Sequence, residues 1–440
     1  MTIYLQHKAV ADTIHCVAAE KGHVKLSPRG GGHSYAAYSL SGQVVIDSSQ
    51  MRTITFDDTK QQATVQFGQT LGPLALVLGQ RGYALPHGTC SGVGISGHSL
   101  GGGWGFTSRK WGWLLDHGSI RTLGPMSTGE DAELWWALRG AGSNNFGIVT
   151  SFTYALEVAP PTVVNYGMRF ATNKDCVHVL LALQELGGLD ANDDPNGFPP
   201  ELGGQLIIMG RRVNDASVCQ FTGQYLGSKY NYTTVIDRLL AKLSSRGVKP
   251  LEPEESYIRE FHTWNLALTD LMGPLEASSV PLPYYAQSLL DNGRPNYTFD
   301  EADSIINALQ TAIGIEGTSS HMSFDLNGPG SRTNLDPATG DMSFIHRRSL
   351  FLTQVYSVQF PGFENVTARA VALDKIRAVI DTMKQTSPDS DWHAYQNYID
   401  PYLISFGRAY YGFNLDRLKL LKRALDPHTV LDFPQGLAHA

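Results

Sequence analysis

The chain has 440 residues, 42% of them hydrophobic and 17% charged, which is too long for one core, since single cores rarely grow past roughly 250 to 300 residues. Two domains sharing a cleft are expected, and the apolar content excludes a disordered chain. A formal charge of −7, from 41 acidic against 34 basic residues, speaks against nucleic acid as a partner, because phosphates are neutralised by basic surfaces.

At the start, His7, Lys8, Asp12 and His15 interrupt any signal-peptide core. Val10, Ile14 and Val17 recur at helical spacing, so the chain is expected to open inside a helix. Val24 to Ile54 reads as strand, glycine loop (Pro28 to Ser34), then a strand through Val44, Val45 and Ile46. Alternation at Ala63, Val65 and Phe67 leads into a helix from near Thr70, carrying Leu71, Leu74, Ala75 and Leu78 and ended by Gly82. Leu85 to Gly105 reads as almost continuous loop, Asp131 to Leu138 as a short helix, and Phe146 to Phe152 as strand.

Composition shifts at Ala159-Pro160-Pro161. This puts one domain at 1–160 and a second, α+β, at 161–399, with 400–440 returning to the first. The second mixes helices (Asp175 to Leu186, Thr233 to Ser245, Asp300 to Ile313) with strands (Gln205 to Met209, His321 to Leu326, Leu350 to Val358). A last helix spans Leu415 to Leu425, stopped by Asp426-Pro427. No apolar stretch of about 20 residues suggests a membrane helix. The four cysteines, Cys16, Cys90, Cys176 and Cys219, include no CxxC pair, so at most one or two disulfides and no metal site are expected.

Glycine stands out, with 16 of 45 lying between Pro28 and Gly105; such density marks positive φ or close backbone approach. Arg29-Gly30-Gly31-Gly32-His33-Ser34 follows a strand and offers successive N–H groups to a phosphate, or is simply a tight surface turn. Gly92 to Gly97 matches GxGxxG, and Gly97-His98-Ser99-Leu100-Gly101 matches the GxSxG nucleophile elbow. Both need a strand before and a helix after, whereas Pro86-His87-Gly88-Thr89 precedes and Gly101-Gly102-Gly103-Trp104-Gly105 follows. Three glycines opening a helix cost about 1 kcal/mol each relative to alanine. A serine hydrolase using Ser99 stands as the alternative of another class. In a third reading, the two loops, one carrying His33 and one Cys90, wrap a single anionic cofactor.

Three segments carry a resemblance: Pro28 to Tyr35, His87 to His98, and Trp135-Trp136-Ala137-Leu138-Arg139-Gly140-Ala141-Gly142. They resemble a PCMH-type FAD-binding domain, and more closely the berberine bridge enzyme-like branch of the vanillyl-alcohol oxidase superfamily, with its fungal gluco- and chitooligosaccharide oxidases. Tyr410 to Leu418 and Phe433-Pro434-Gln435 resemble that family's closing motif. The resemblance implies an α+β, two-domain PCMH-type fold whose substrate domain is an antiparallel sheet covered by helices. It implies FAD held by two covalent bonds, from His33 to the flavin 8α carbon and from Cys90 to C6, imidazole and thiolate being suitable nucleophiles. Around them it assigns cofactor contacts to Arg29, Gly30, Gly31, Gly32, Ser34, Gly94, Ser96, Gly97, His98, Gly102, Gly103, Gly147, Val149 and Asn414.

In such relatives a tyrosine removes a hydroxyl proton while hydride passes to flavin N5, and dioxygen then reoxidises the flavin to give hydrogen peroxide. The resemblance matches Tyr411 to that tyrosine, with Tyr410 as rival, and Asp325 to its helper. An unperturbed phenol titrates near pH 10, so a base role needs its proton relayed onward. Substrate contacts fall on Tyr35, Tyr285 and Gln354, while Trp104, Trp111 and Trp113 are expected to pack the core near the flavin. The implied substrate is a carbohydrate or small-molecule alcohol; a fungal secondary-metabolite (polyketide-type) pathway and an inactive flavin-binding relic are the other readings. Against the family's pattern, a secretion signal, an opening strand, and a strand between His117 and Gly118 are expected to be missing. Sequons at Asn231, Asn296 and Asn365 agree with secretion; otherwise the chain is cytoplasmic, and it is taken as a monomer.

Overall fold

The structure, a computed structural model, describes residues 2–4, 7–120, 128–209, 218–252, 256–276, 282–291, 297–313, 319–334, 341–362, 364–386, 388 and 391–440. It begins with β1 (Thr2–Tyr4), α1 (His7–Ala19), β2 (Leu26–Arg29) and β3 (Val44–Asp47). These strands form a parallel sheet in the order β1-β3-β2. The opening is therefore a strand, not a helix, and the strand expected to be missing is present, pairing Thr2 with Val45. Three residues are too few to show a period of two, and their partner lies far along the chain.

β4 (Ile54–Asp57) and β5 (Gln62–Gln66) form a hairpin in which Ala63 and Val65 point inward, and α2 (Leu71–Gln80) follows with Leu71, Leu74, Ala75 and Leu78 buried. Next come β6 (Tyr83–Ala84), α3 (Ile95–Leu100), α4 (Ser108–Trp111), α5 (Leu114–His117), β7 (Gly118–Ile120), α6 (Glu130–Leu138), β8 (Ser151–Ala155) and β9 (Glu157–Val158). A second sheet has the order β4-β5-β8-β7. β7 follows His117 directly and pairs antiparallel with β8. The strand predicted from Phe146 starts only at Ser151; Asn144 adopts φ 62°, and Phe146 and Val149 are buried by loop packing.

The middle region runs β10 (Val163–Phe170), α7 (Asn173–Gly187), β11 (Leu202–Met209), β12 (Cys219–Tyr225), α8 (Lys229–Ser244), β13 (Tyr257–Phe261), α9 (Trp264–Met272), β14 (Tyr284–Leu290), α10 (Phe299–Ile313), β15 (Ser319–Leu326), β16 (Phe351–Val358) and α11 (Val366–Thr386). Its strands make one antiparallel sheet in the order β13-β10-β12-β11-β15-β16-β14. α7 starts where Thr172 and Asp175 cap each other reciprocally, each backbone N–H donating to the other's side chain. Alternation sends Met322, Phe324 and Leu326 of β15 into a core shared with α7, α8, α10 and α11. His321, Ser323 and Asp325 consequently share the opposite face. A disulfide joins Cys176 of α7 to Cys219 of β12.

The chain ends in α12 (Phe406–Tyr411) and α13 (Leu415–Leu425). Tyr410, Tyr411, Leu418 and Leu431 enter the same apolar core as Val10, Leu26 and Val65. A smaller cluster, with Trp104, Trp113, Leu290, Phe344, Leu352 and Tyr395, joins the glycine-rich segment to β14 and β16. The cleft lies between these two bodies.

Candidate active site

The two glycine loops touch backbone to backbone. A Cβ on Gly31 would lie 2.2 Å from the Gly94 nitrogen, and one on Gly94 would lie 2.2 Å from the Gly31 nitrogen, so neither position accepts a side chain. Gly32 takes φ +74°, which turns the loop so that His33 faces the cleft. Arg29 stays behind the loop, its guanidinium 2.6 Å from Asp47.

Leu85 to Gly105 is not all loop, because α3 occupies Ile95–Leu100. At six residues that helix is too short to be stable by propensity; burial of Ile95 and Leu100 holds it. Its Ser96, Gly97 and His98 line the cleft. Ser99 points into the core, where its hydroxyl hydrogen-bonds to the Tyr154 hydroxyl at 2.6 Å and is 4% exposed. A nucleophile elbow needs an exposed hydroxyl, and Ser99 does not offer one.

A cavity of about 450 Å³ runs along both loops. Gly30, Gly31, Gly32, His33, Ser34, Cys90, Gly94, Gly147 and Val149 line it as well. Burial holds the His33 imidazole below its ordinary pKa, leaving a neutral, nucleophilic ring. Desolvation raises the Cys90 thiol. His98 is pushed down to about 3, by burial first and then by neighbouring His87, and its Nε2 accepts the Gly88 N–H at 3.3 Å.

The opposite wall is the cleft face of the large sheet: Gln205 and Ile207 of β11, His321 and Ser323 of β15, Gln354 and Tyr356 of β16, and Tyr284 of β14. Tyr35 reaches it from the first loop. Gln354 Nε2 donates to the Tyr35 hydroxyl at 3.2 Å, and the Tyr35 ring lies 5.9 Å from Tyr284, 5.8 Å from Tyr356 and 6.0 Å from Tyr398. Asp325 sits one pleat deeper than Ser323, 1% exposed, and its Oδ1 has no hydrogen-bond partner among the described residues. Burial pushes its carboxyl up to about 8, with Ser323 pulling the other way.

Several assigned residues lie elsewhere. The structure does not bring Tyr411 to Asp325: Tyr411 lines the first-domain end of the cavity, donates to the Ala141 carbonyl at 3.3 Å and interacts with Asn145. Tyr410 bonds Gln435 and the Asp400 amide instead. Burial raises the phenols of Tyr35, Tyr395 and Tyr398, and the Asp325 charge adds to that rise in each. Tyr285 is a second correction, since alternation turns it away from the cleft, where its hydroxyl donates to Asp400 at 3.1 Å. Its neighbour Tyr284 faces the cleft. Gly102, Gly103 and Asn414 act behind the wall: Gly103 N–H donates to the Tyr395 hydroxyl at 2.8 Å, Gly102 packs on Tyr395 and Phe344, and Asn414 donates to the Ser343 carbonyl. Trp104 lines the cleft, while Trp111 and Trp113 are buried.

Sequence reading missed Tyr398 and Tyr395, which occupy an irregular segment with no periodicity to reveal their direction. Ser323 and His321 were also not singled out, although the period of two around Asp325 places them on its face of the strand.

These residues fit a flavin dinucleotide. Two contiguous backbone turns leave no room for side chains, their N–H groups suit a pyrophosphate, and an imidazole and a thiol face one cavity. A sheet bearing aromatic rings and amides closes the other side, the arrangement of a flavin-dependent oxidoreductase.

Comparison with known proteins agrees. Residues 4–118 match the FAD binding domain family and residues 394–438 the berberine and berberine-like family. The chain is 32% identical to the xylooligosaccharide oxidase of Thermothelomyces thermophilus, over 96% of this chain and 84% of that one. It is 27% identical to the glucooligosaccharide oxidase of Sarocladium strictum, over 92% and 81%. The solved xylooligosaccharide oxidase from Myceliophthora thermophila C1, in complex with xylobiose, superposes with a TM-score of 0.81 at 31% identity, covering 99% of this chain and 91% of that one. The glucooligosaccharide oxidase of Acremonium strictum, with its 6-S-cysteinyl, 8α-N1-histidyl FAD, does so at 0.83 and 25%, covering 100% and 91%. The chain belongs to the berberine bridge enzyme-like branch of the PCMH-type FAD-binding flavoproteins, as an FAD-linked oxidase of the carbohydrate oxidase family.

Proposed function

We propose that the protein oxidises a hydroxyl group of a neutral oligosaccharide, with Tyr398 and Asp325 handling the proton and His33 and Cys90 holding FAD covalently. The observation that carries this is the place of Tyr398, which lines the cavity together with Cys90 and Ser323 and stacks on Tyr35 with ring centres 6.0 Å apart; burial first, and then the nearby Asp325 charge, raises its phenol well above the usual value. A phenol held that high keeps its own proton until another group accepts it. Asp325, raised to about 8, is matched to that task near neutral or mildly alkaline pH. The substrate hydroxyl gives its proton to Tyr398 as the Tyr398 proton moves to Asp325, so the proton lost from O–H rests on the carboxyl. Bound FAD, held by His33 and Cys90, would supply the acceptor for the hydride of the same carbon, and dioxygen would be the terminal oxidant, reduced to hydrogen peroxide.

Support for a sugar comes from Tyr35, Tyr284 and Tyr356, whose rings offer apolar faces. Gln205, Gln354 and Ser323 supply hydrogen bonds to hydroxyls. The relatives named for xylo- and glucooligosaccharides support the same class.

Acid precipitation of the purified protein tests the attachment: the pellet is expected to be yellow, and to lose its colour in the His33→Ala, Cys90→Ala double variant. A colourless wild-type pellet overturns the covalent claim. Tyr398→Phe is expected to slow flavin reduction by about 10² or more, while Tyr411→Phe leaves it within a few-fold. The reverse ranking restores Tyr411 as the base. A panel of neutral oligosaccharides against aromatic alcohols, followed by oxygen uptake, tests the substrate class.

A further inference from the structure

We infer that Asp400 is a positioning residue for Tyr398, holding it in the cleft by hooking its segment around the edge of the large sheet. β14 is an edge strand, and the chain after it is bound along that edge. Leu290 and His393 exchange both backbone hydrogen bonds, at 2.9 and 3.1 Å, and the Tyr395 N–H donates to Ser288 at 2.9 Å. Tyr395 and Tyr398 line the cleft. Two residues later the chain has passed to the other face. There Tyr285 and Gln287, the β14 side chains turned away from the cleft, grip the Asp400 carboxylate at 3.1 and 2.9 Å. Tyr398 and Asp400 thus straddle one strand.

The grip is saturated. Asp400 is 5% exposed, and Oδ1 also accepts the Tyr402 N–H at 2.9 Å. Its backbone N–H donates to Tyr410 at 3.3 Å and its carbonyl accepts from Gln435 at 2.7 Å. An irregular segment has no helical or sheet ladder to fix a side chain, so its orientation is set by anchors of this kind. Buried hydrogen bonds to a charged acceptor are the strong ones. Without the hook, Tyr398 keeps its chemistry but loses its position relative to Asp325 and the substrate hydroxyl.

The inference rests on Tyr398 being the base, and the test separates the two. In the flavin-loaded enzyme, Asp400→Ala removes the acceptors of Tyr285 and Gln287. The reducible fraction of flavin should be unchanged, kcat should fall by roughly 10²-fold, and KM for the sugar should stay within a few-fold, as misplacement of a reacting group predicts. Asp400→Asn keeps an oxygen for Tyr285 and Tyr402 and offers an N–H to Gln287 Oε1, which has no partner among the described residues, so it should hold kcat to within a few-fold of wild type. If Asp400→Ala folds poorly, Gln287→Ala, which removes one donor of the grip, should lower kcat by a smaller factor at an unchanged KM. An Asn variant as slow as the Ala variant, or wild-type kcat in the folded Ala or Gln287→Ala variant beside a slow Tyr398→Phe, overturns the hook. A fast Tyr398→Phe overturns the base assignment, and the hook with it.

Discussion

Asp325 carries the sharpest expectation at the scale of a single side chain. Its carboxyl is lifted from the ordinary value to about 8 by burial, and the sign of the consequence follows. Between the unfolded value of 3.8 and about 8, the folded protein binds a proton that the unfolded chain has released. This contribution to stability is complete below 3.8 and is lost as pH rises to about 8. The kinetics run the opposite way, because only ionised Asp325 accepts the Tyr398 proton: flavin reduction should quicken as pH rises through about 8. Asp325→Asn is expected to flatten both dependences, read by thermal melts and stopped-flow reduction across pH 5 to 10. Melts and rates that keep their wild-type pH dependence in the variant contradict this. Asp325 was singled out in the sequence by the family resemblance, and a carboxylate between apolar strand neighbours is out of place on a solvated surface. Tyr398 was not, since nothing local distinguishes it from the other tyrosines near the chain's end.

Secondary-structure elements were read well where their own pattern decides them. The α13 limits match the prediction, and β11, β15 and β16 lie within a few residues of theirs because a one-sided apolar face enforces alternation. Elements decided by neighbours were misread. β1 exists through pairing with β3, α3 through burial of Ile95 and Leu100, and the apolar run from Phe146 is loop because it packs without pairing. The glycine loops belong to this scale as well. Gly31→Ala would drive a Cβ to 2.2 Å from backbone at Gly94, where no side chain can yield. The loops must part, with an expected loss of at least about 2 kcal/mol and a marked fall in flavin bound per protein. An alanine variant that melts and loads flavin as wild type does would show that the two loops do not need their contact.

For the whole molecule, the disulfide and the cleft are the features to test. Cys176 and Cys219 close a separation of 43 residues between α7 and β12, inside the core under the sheet. Cys176→Ala with Cys219→Ala should lower stability by roughly 2 to 4 kcal/mol, seen as a lower unfolding midpoint, while leaving the cleft geometry and KM unchanged because both sulfurs lie on the face away from it. A large rise in KM would show that the helix layer and the cleft face are coupled. The sequence by itself determined the two glycine turns, the candidate tethers His33 and Cys90, the alternating strands and the family, since each is written in residues close together along the chain. Tertiary structure alone decided that Tyr395 and Tyr398 line the cleft, which face of β14 presents Tyr284 rather than Tyr285, and that Ser99 is buried. The physical reason is common to all three: a side chain's direction in an irregular segment or at a sheet edge is set by contacts with distant residues, and no local period encodes them.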